Sequence, residues 1–171
     1  MVKGTESPLL LSFKKVMITK ENIESIIEGI LKEKKAYLVD IHVSTSNKIT
    51  VELDSMGSIS IDDCVDVSRL IENSLDREQE DFELEVSSPG LSQPFKVIQQ
   101  YQKNLNKEIE VITKEGKKLT GTLILVEPDA FEMKTSKLLK VEGKKKKQLV
   151  EETMRFLYTE IKSAKVVISF K

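Results

Sequence analysis

The sequence predicts an α+β protein made of two small units, and three observations support this prediction. A strand-like alternation of apolar residues stops at residues 87–90, Ser-Ser-Pro-Gly, where proline and glycine favour a tight turn. Helical and strand-like patterns are mixed before this point, whereas short strand-like patterns dominate after it. The charge also changes sign there. We therefore expect an α+β domain over residues 17–91 and a small β-barrel domain over residues 92–171.

The first domain is expected to contain two helices and three strands in the order helix, strand, strand, helix, strand. Thr19 and Ser60 are placed as helix N-caps, because each precedes apolar residues spaced three and four apart. The residues predicted to face the core are Ile23, Ile26, Ile27, Ile30 and Leu31 in the first helix and Ile61, Cys64, Val67, Ile71 and Leu75 in the second. Strands are predicted over residues 37–43, 49–53 and 82–86. Both helices should pack on one face of this sheet.

The second domain is expected to consist of short strands that follow one short helix. The helix is predicted over residues 95–104, with Pro94 at its start. The strands are predicted over residues 108–111, 119–126, 131–134 and 166–170. Gly121 lies inside one of them, as expected where a small barrel bends sharply. Residues 134–152 give weak signals, and the lysine run at residues 144–147 is predicted to be an exposed loop.

The charge of the chain is divided unequally between its two halves. Residues 17–93 contain 7 Lys and Arg against 17 Asp and Glu, a net charge of −10, whereas residues 94–171 contain 17 against 10, a net charge of +7. This asymmetry is typical of proteins that bind nucleic acid or another charged partner, although two ordinary solvated surfaces are the alternative. Trp is absent and aromatic residues make up 5%, which argues against the stacking of RNA bases on aromatic side chains.

The remaining features of the sequence exclude a membrane span and suggest where the ordered chain begins. No apolar run approaches the roughly 20 residues that a membrane-spanning helix needs. A single cysteine, Cys64, cannot form an intrachain disulfide and fits a reducing compartment. Residues 1–16 have no sustained periodicity and are expected to form a disordered tail.

No pattern in the sequence predicts catalysis, a cofactor or a metal site. His42, the only histidine, is expected on the exposed face of a strand, and Cys64 is expected to be a small buried hydrophobic residue. Asp62, Asp63 and Asp66 could hold a hard cation, but helix capping explains two of them. Their spacing also lacks the glycine and the final glutamate of a calcium loop. A metal-dependent enzyme built on these carboxylates is therefore kept only as an alternative.

The segment LEVSSPGL at residues 84–91 resembles the signature of the ribosome maturation factor RimP family. Further similarity lies in Tyr37-Leu38-Val39-Asp40, Ile61-Asp62-Asp63-Cys64, Val67-Ser68-Arg69, Leu75-Asp76 and Ile161-Lys162-Ser163-Ala164-Lys165, so the resemblance covers roughly residues 17–171. The chain differs from the usual RimP sequence directly after this signature. RimP proteins usually continue with Asp-Arg-Pro, whereas this chain has Ser92-Gln93-Pro94, so any role of that charged pair must be taken by other residues.

The resemblance implies a cytoplasmic, non-enzymatic factor that acts on the immature small (30S) ribosomal subunit. It also implies that the second domain is an Sm-like small β-barrel, implicated in docking to a small-subunit ribosomal protein. We therefore expect a monomer without a cofactor that contacts 16S rRNA and a ribosomal protein. An Sm-like RNA regulator that acts outside the ribosome, and that would need a ring-forming barrel, is the alternative.

Two groups of residues are the candidate sites. The candidates are Ser87, Ser88, Pro89 and Gly90 as the domain-junction signature, and Lys144, Lys145, Lys146 and Lys147 as contacts to rRNA phosphates. A solubilising surface loop is the alternative for the lysine run.

Overall fold

The computed structural model describes residues 17–140, 142–143 and 145–168. The chain divides into two compact units, unit 1 up to Pro89 and unit 2 from Gly90 onwards. This division falls slightly before the predicted boundary after residue 91, and independent folding of the two parts stays a prediction. The predicted disordered tail, residues 1–16, lies outside the described residues.

Unit 1 contains two helices and a three-stranded sheet. The elements are α1 (Lys20–Glu33), β1 (Ala36–Val43), β2 (Lys48–Ser55), α2 (Ile61–Ser74) and β3 (Glu83–Ser87), which confirms the predicted order. The sheet has the order β1-β2-β3, with β1 antiparallel and β3 parallel to β2. Helix α2 forms the crossover between the parallel strands, as such a connection requires. Both helices contribute to a single core with the sheet.

The helix starts in unit 1 are fixed by the predicted caps. The Thr19 hydroxyl oxygen accepts a hydrogen bond from the Asn22 backbone N–H at 3.1 Å. Ser60 and Asp63 form a reciprocal capping box at the start of α2. The prediction for Ile61 is wrong, because its side chain is 83% exposed. Ile61 is the first residue of α2 and lies beyond the buried stripe of that helix, whose fully buried members are Val67 and Ile71.

Unit 2 contains a short helix and a five-stranded antiparallel sheet. The elements are α3 (Ile98–Lys103), β4 (Glu108–Thr113), β5 (Lys118–Val126), β6 (Ala130–Lys140), β7 (Lys147–Leu157), a 3₁₀ turn (Tyr158–Glu160) and β8 (Ile161–Val166). The sheet order is β7-β6-β5-β4-β8. Among the described residues no pairing joins the edge strands β7 and β8, so closure into a barrel stays a prediction.

The core of unit 2 is built around aromatic rings and one close approach of two strands. The ring of the fully buried Phe131 lies 5.2 Å from that of Tyr101 and 5.6 Å from that of Phe156, measured between centroids. A Cβ atom on Gly121 would lie 2.6 Å from the carbonyl oxygen of Lys134. Gly121 therefore allows the backbones of β5 and β6 to approach closely, which explains a glycine inside a strand.

Two predicted elements of unit 2 have different bounds. Helix α3 begins at Ile98 rather than Phe95, because the Phe95 backbone N–H donates to the Ala164 carbonyl oxygen at 2.7 Å and Phe95 is thereby held against β8. The cap is supplied by Gln100, whose side-chain oxygen accepts from the Val97 backbone N–H at 3.1 Å. The last strand was predicted over 166–170, but β8 ends at Val166, and Phe170 lies outside the described residues.

Candidate nucleic-acid interface

The β6–β7 hairpin is longer than the sheet that supports it. Strands β6 and β7 pair from Ala130 with Leu157 to Lys140 with Lys147, whereas the pairing of β6 with β5 stops at Lys134. We call residues 136–151 the arm; within it, residues 141 and 144 lie outside the described residues. At about 3.3 Å per residue, each strand of the arm extends about 16 Å beyond Thr135.

The arm occupies the segment that gives weak sequence signals, where the lysine run was predicted to be an exposed loop joining two strands. Lys145 and Lys146 are exposed and lie between β6 and β7, as predicted, whereas Lys147 does not lie in the loop. Regular pairing continues to the Lys140–Lys147 pair, so Lys147 begins a strand. Among the residues of β6 whose burial the structure describes, Thr135 is the last buried one, and β7 is exposed over most of its length. Because every described side chain of the arm is exposed, we expect no apolar alternation that would reveal its strands. Gly143, which has a positive φ of 84°, was the available turn signal.

The basic side chains that the structure describes in the arm have no acidic partners among the described residues. Residues 137–147 contain six lysines and one glutamate, a net charge of +5. Lys137, Lys145, Lys146 and Lys147 are exposed, and none forms an ion pair with another residue that the structure describes. Lys144, the first member of the predicted run, lies outside the described residues. The structure therefore places the rest of the run on the tip of the arm.

At the base of the same hairpin, the basic side chains form ion pairs with carboxylates. Arg155 donates to the carboxylates of Glu127 at 2.8 Å and Glu132 at 3.0 Å. The Arg155 guanidinium holds the pKa of Glu127 below its usual value, and these two carboxylates raise the pKa of Arg155. Lys134 pairs with Glu151 at 2.7 Å across the strands. An anionic ligand would therefore meet unpaired cations at the tip rather than at the base.

The signature residues end β3 and precede a turn. Ser87 is the last residue of β3 and pairs with Glu52 of β2. The turn was predicted at Ser-Pro-Gly, but it lies later, where the Gln93 backbone N–H donates to the Gly90 carbonyl oxygen at 3.0 Å. Gly90 does not have a positive φ, and a Cβ atom there would come no closer than 3.8 Å to another residue. The backbone of unit 2 therefore does not require glycine at this position.

The acidic cluster of α2 binds a side chain of the protein. The Lys34 ammonium donates to the carboxylates of Asp63 at 3.1 Å and Asp66 at 2.7 Å. The Ser60 backbone N–H and the Lys34 ammonium lower the pKa of Asp63, and the two carboxylates raise the pKa of Lys34. No group of three or more His, Cys, Asp or Glu side chains that could hold a metal ion is present in the described part of the chain. The carboxylates thus have a structural role in joining α2 to the end of α1.

The other candidate side chains do not form a reactive site. Burial raises the pKa of the half-buried Cys64 thiol, so the thiol is protonated at neutral pH. His42 is exposed on β1, as predicted. No helix within residues 17–140, 142–143 and 145–168 is long and apolar enough to cross a membrane.

Comparison with known proteins identifies relatives over almost the whole chain. The model of the RimP N-terminal domain matches residues 26–92. A protein named ribosome maturation factor RimP from Porphyromonas gingivalis is 38% identical over 152 residues, which cover 89% of this chain and 100% of the relative. Proteins of the same name from Christiangramia forsetii and Flavobacterium psychrophilum are 34% and 32% identical, over 88% and 90% of this chain and 99% and 100% of the relatives. The chain therefore belongs to the ribosome maturation factor RimP family.

Proposed function

We propose that this protein is a non-catalytic factor for maturation of the small (30S) ribosomal subunit and that it binds the immature subunit through rRNA and ribosomal-protein contacts. A role in ribosome maturation is supported by relatives of that name, which match this chain over nearly their full length. The factor acts in the cytoplasm as a monomer and needs no cofactor.

The rRNA contact is supported by the unpaired lysines of the arm. Exposed cations without acidic partners neutralise phosphates at little cost, since no intramolecular ion pair has to be broken first. Lys145, Lys146 and Lys147 are exposed, and none of them has an acidic partner among the residues that the structure describes. The exposure of these three lysines is the observation on this chain that most directly supports the proposed rRNA contact.

The protein contact is supported by the acidic charge of unit 1 and by the sheet of unit 2. A surface with a net charge of −10 disfavours non-specific contact with RNA and complements basic ribosomal proteins. The five-stranded antiparallel order of unit 2 is compatible with an Sm-like barrel, which the resemblance links to docking on a small-subunit ribosomal protein. We propose that unit 2 is such a barrel.

Sucrose-gradient fractionation of cell extract, with detection of this protein, tests the proposed function. We expect the protein to sediment with particles that contain unprocessed 16S rRNA, and to be absent from mature large subunits. Sedimentation away from all ribosomal particles, together with a ring-sized species in gel filtration, would instead favour an Sm-like RNA regulator.

A further inference from the structure

Two leucines form an exposed pair near the end of the arm. Leu138 of β6 lies directly opposite Leu149 of β7, and their side chains are 64% and 62% exposed. Residues that face each other across antiparallel strands project from the same side of the sheet. Neither leucine belongs to either core, so neither is needed to hold the fold. A pair of large apolar side chains at the end of a projecting hairpin is a feature of contact surfaces.

The leucine pair is bordered by charge at both ends. The strand pairing places Lys147 on the same face, one step towards the tip, and the Lys134–Glu151 ion pair on that face towards the base. Lys145 and Lys146 are exposed at the turn, and Lys137 lies on the opposite face with Val150. The surface is therefore an apolar patch with cations on its outer side, and these cations are complementary to a partner that carries phosphates.

The absence of aromatic residues from the arm favours double-helical RNA over single-stranded RNA as its ligand. Residues 136–151 contain no Phe, Tyr or Trp. Single-stranded RNA is held mainly by stacking of its bases on aromatic side chains, which the arm cannot offer. Double-helical RNA has a wide and shallow minor groove that displays 2′-hydroxyls and base edges between two rows of phosphates. Leucine is among the apolar side chains that proteins insert into the minor groove of duplex DNA. The two-stranded arm has the chemistry for the second kind.

We propose that the arm binds double-helical RNA, with Leu138 and Leu149 in the minor groove and the lysines at the tip on the flanking phosphates. This inference rests on the proposed function, because the RNA helix in question belongs to the immature small subunit. It extends that function by assigning an apolar contact to the arm in addition to a charged one.

The test measures the affinity of the full chain for an RNA duplex of 20 base pairs, at several salt concentrations. Replacing both leucines, Leu138→Thr and Leu149→Thr, should weaken binding roughly tenfold or more at every salt concentration, because the leucines contribute an apolar interaction. The slope of log affinity against log salt should not change. The pair Lys145→Gln and Lys146→Gln should instead reduce that slope by up to about 0.7–0.9 for each of the two lysines that touches a phosphate.

Matched controls separate the arm from general effects of charge and exposure. Lys114→Gln with Lys117→Gln removes two exposed lysines from another hairpin turn of unit 2, and Met56→Thr with Ile61→Thr removes two exposed apolar side chains from unit 1. Both control variants should bind the duplex as tightly as the unchanged protein. Circular dichroism of every variant should match that of the unchanged protein, since the leucines lie outside the core.

Three results would overturn the inference. Unchanged duplex affinity of the leucine variant would show that the pair does not enter the groove. Tighter binding of an unstructured RNA of equal length would assign the arm to single strands. A variant that loses co-sedimentation with immature subunits, while the unchanged protein has no duplex affinity, would assign the arm to a protein partner. Co-sedimentation of the unchanged protein with immature subunits tests the proposed function separately. If the unchanged protein does not co-sediment with them, the proposed function is wrong whatever its affinity for the duplex.

Discussion

In unit 1, where acidic side chains are in excess, Lys34 and Arg77 each form ion pairs with two carboxylates, whereas in unit 2 the described lysines at the end of a hairpin form no ion pair with another described residue. Lys34 lies between Asp63 and Asp66, and Arg77 bridges Glu72 at 2.8 Å and Asp81 at 3.1 Å. No such pairing is found for the described lysines at the tip of the arm.

This difference shows that the basic character of unit 2 is local. Residues 94–171 have a net charge of +7, and residues 137–147 alone have +5. The rest of unit 2 is close to neutral, partly because carboxylates such as Glu127 and Glu132 offset Arg155. The RNA contact that we propose therefore depends on the arm and much less on the sheet.

Truncation of a core side chain should have the largest effect, and it tests whether the two units unfold independently. Phe131 is fully buried in the core of unit 2 and Ile27 in that of unit 1, and the two cores share no residues. Phe131→Ala should destabilise unit 2 by about 3–5 kcal/mol and leave unit 1 unchanged, because the cavity lies in one core only. Hydrogen exchange resolved by peptide measures both units in one sample.

The matched variant Ile27→Ala should show the reverse pattern, with a loss of about 2–5 kcal/mol confined to unit 1. Equal loss of protection in both units from either variant would mean that they unfold together. The fragments 17–91 and 92–171 should each fold if the units are independent, and a poorly dispersed amide spectrum of either fragment would contradict this.

An intermediate effect is expected when the same substitution is made in each unit. Gly121→Ala should destabilise unit 2 by about 1–3 kcal/mol, because the new Cβ atom would meet the Lys134 carbonyl oxygen at 2.6 Å and backbone must shift. Gly29→Ala should stabilise unit 1 by about 0.5–1 kcal/mol, because Gly29 lies in α1 with no atom within 4 Å of a Cβ. Thermal unfolding measures both changes, and a shift of the same sign in the two variants would be inconsistent with these contacts.

The smallest effect concerns the ion pairs of unit 1 at acid pH. The folded state lowers the pKa of Asp63, so its contribution to stability is present above the unfolded value of 3.8 and is lost as the pH falls through the lower folded value. Lys34→Gln should therefore reduce the stability of unit 1 at pH 7, and its deficit should shrink at strongly acid pH, where the Asp63 carboxyl is neutral. Denaturant unfolding at a series of pH values measures this deficit.

Lys48→Gln is the matched control, since Lys48 is exposed and has no ion pair among the described residues. It should show no comparable deficit at any pH. A deficit of Lys34→Gln that stays constant down to strongly acid pH would mean that Lys34 acts through packing of its side chain rather than through the carboxylates.

The order of elements could be predicted because most elements have one buried face. In α1 and β2 the apolar residues face the core at regular intervals, so Ile23, Ile27, Ile49, Val51 and Leu53 indicate both type and orientation. Ile61 was misplaced because apolar spacing does not reveal where the core ends along a helix. The start of α3 was misplaced because the bond from Phe95 to Ala164 joins residues that are distant in sequence.

For the candidate site, the sequence predicted the cluster of lysines but not the strands that carry it. The lysine run was visible in the sequence, but the arm that carries it was not, because strands without a buried face show no alternation. Leu138 and Leu149 were missed for the same reason: their significance lies in facing each other, which depends on the register of β6 and β7. The register in turn is set where the hairpin joins the core, at Phe131 and Phe156.

We propose that the excess positive charge of this chain contacts RNA of the immature small subunit through the arm. The most direct measurement is the salt dependence of binding to purified immature small subunits, compared between the unchanged protein and a variant with all four lysines at residues 144–147 replaced by Gln. If each lysine contacts a phosphate, the slope of log affinity against log salt should fall by about 3, and binding should weaken strongly at low salt and much less at high salt. Unchanged affinity and an unchanged slope would contradict the claim and place the RNA contact elsewhere on the protein.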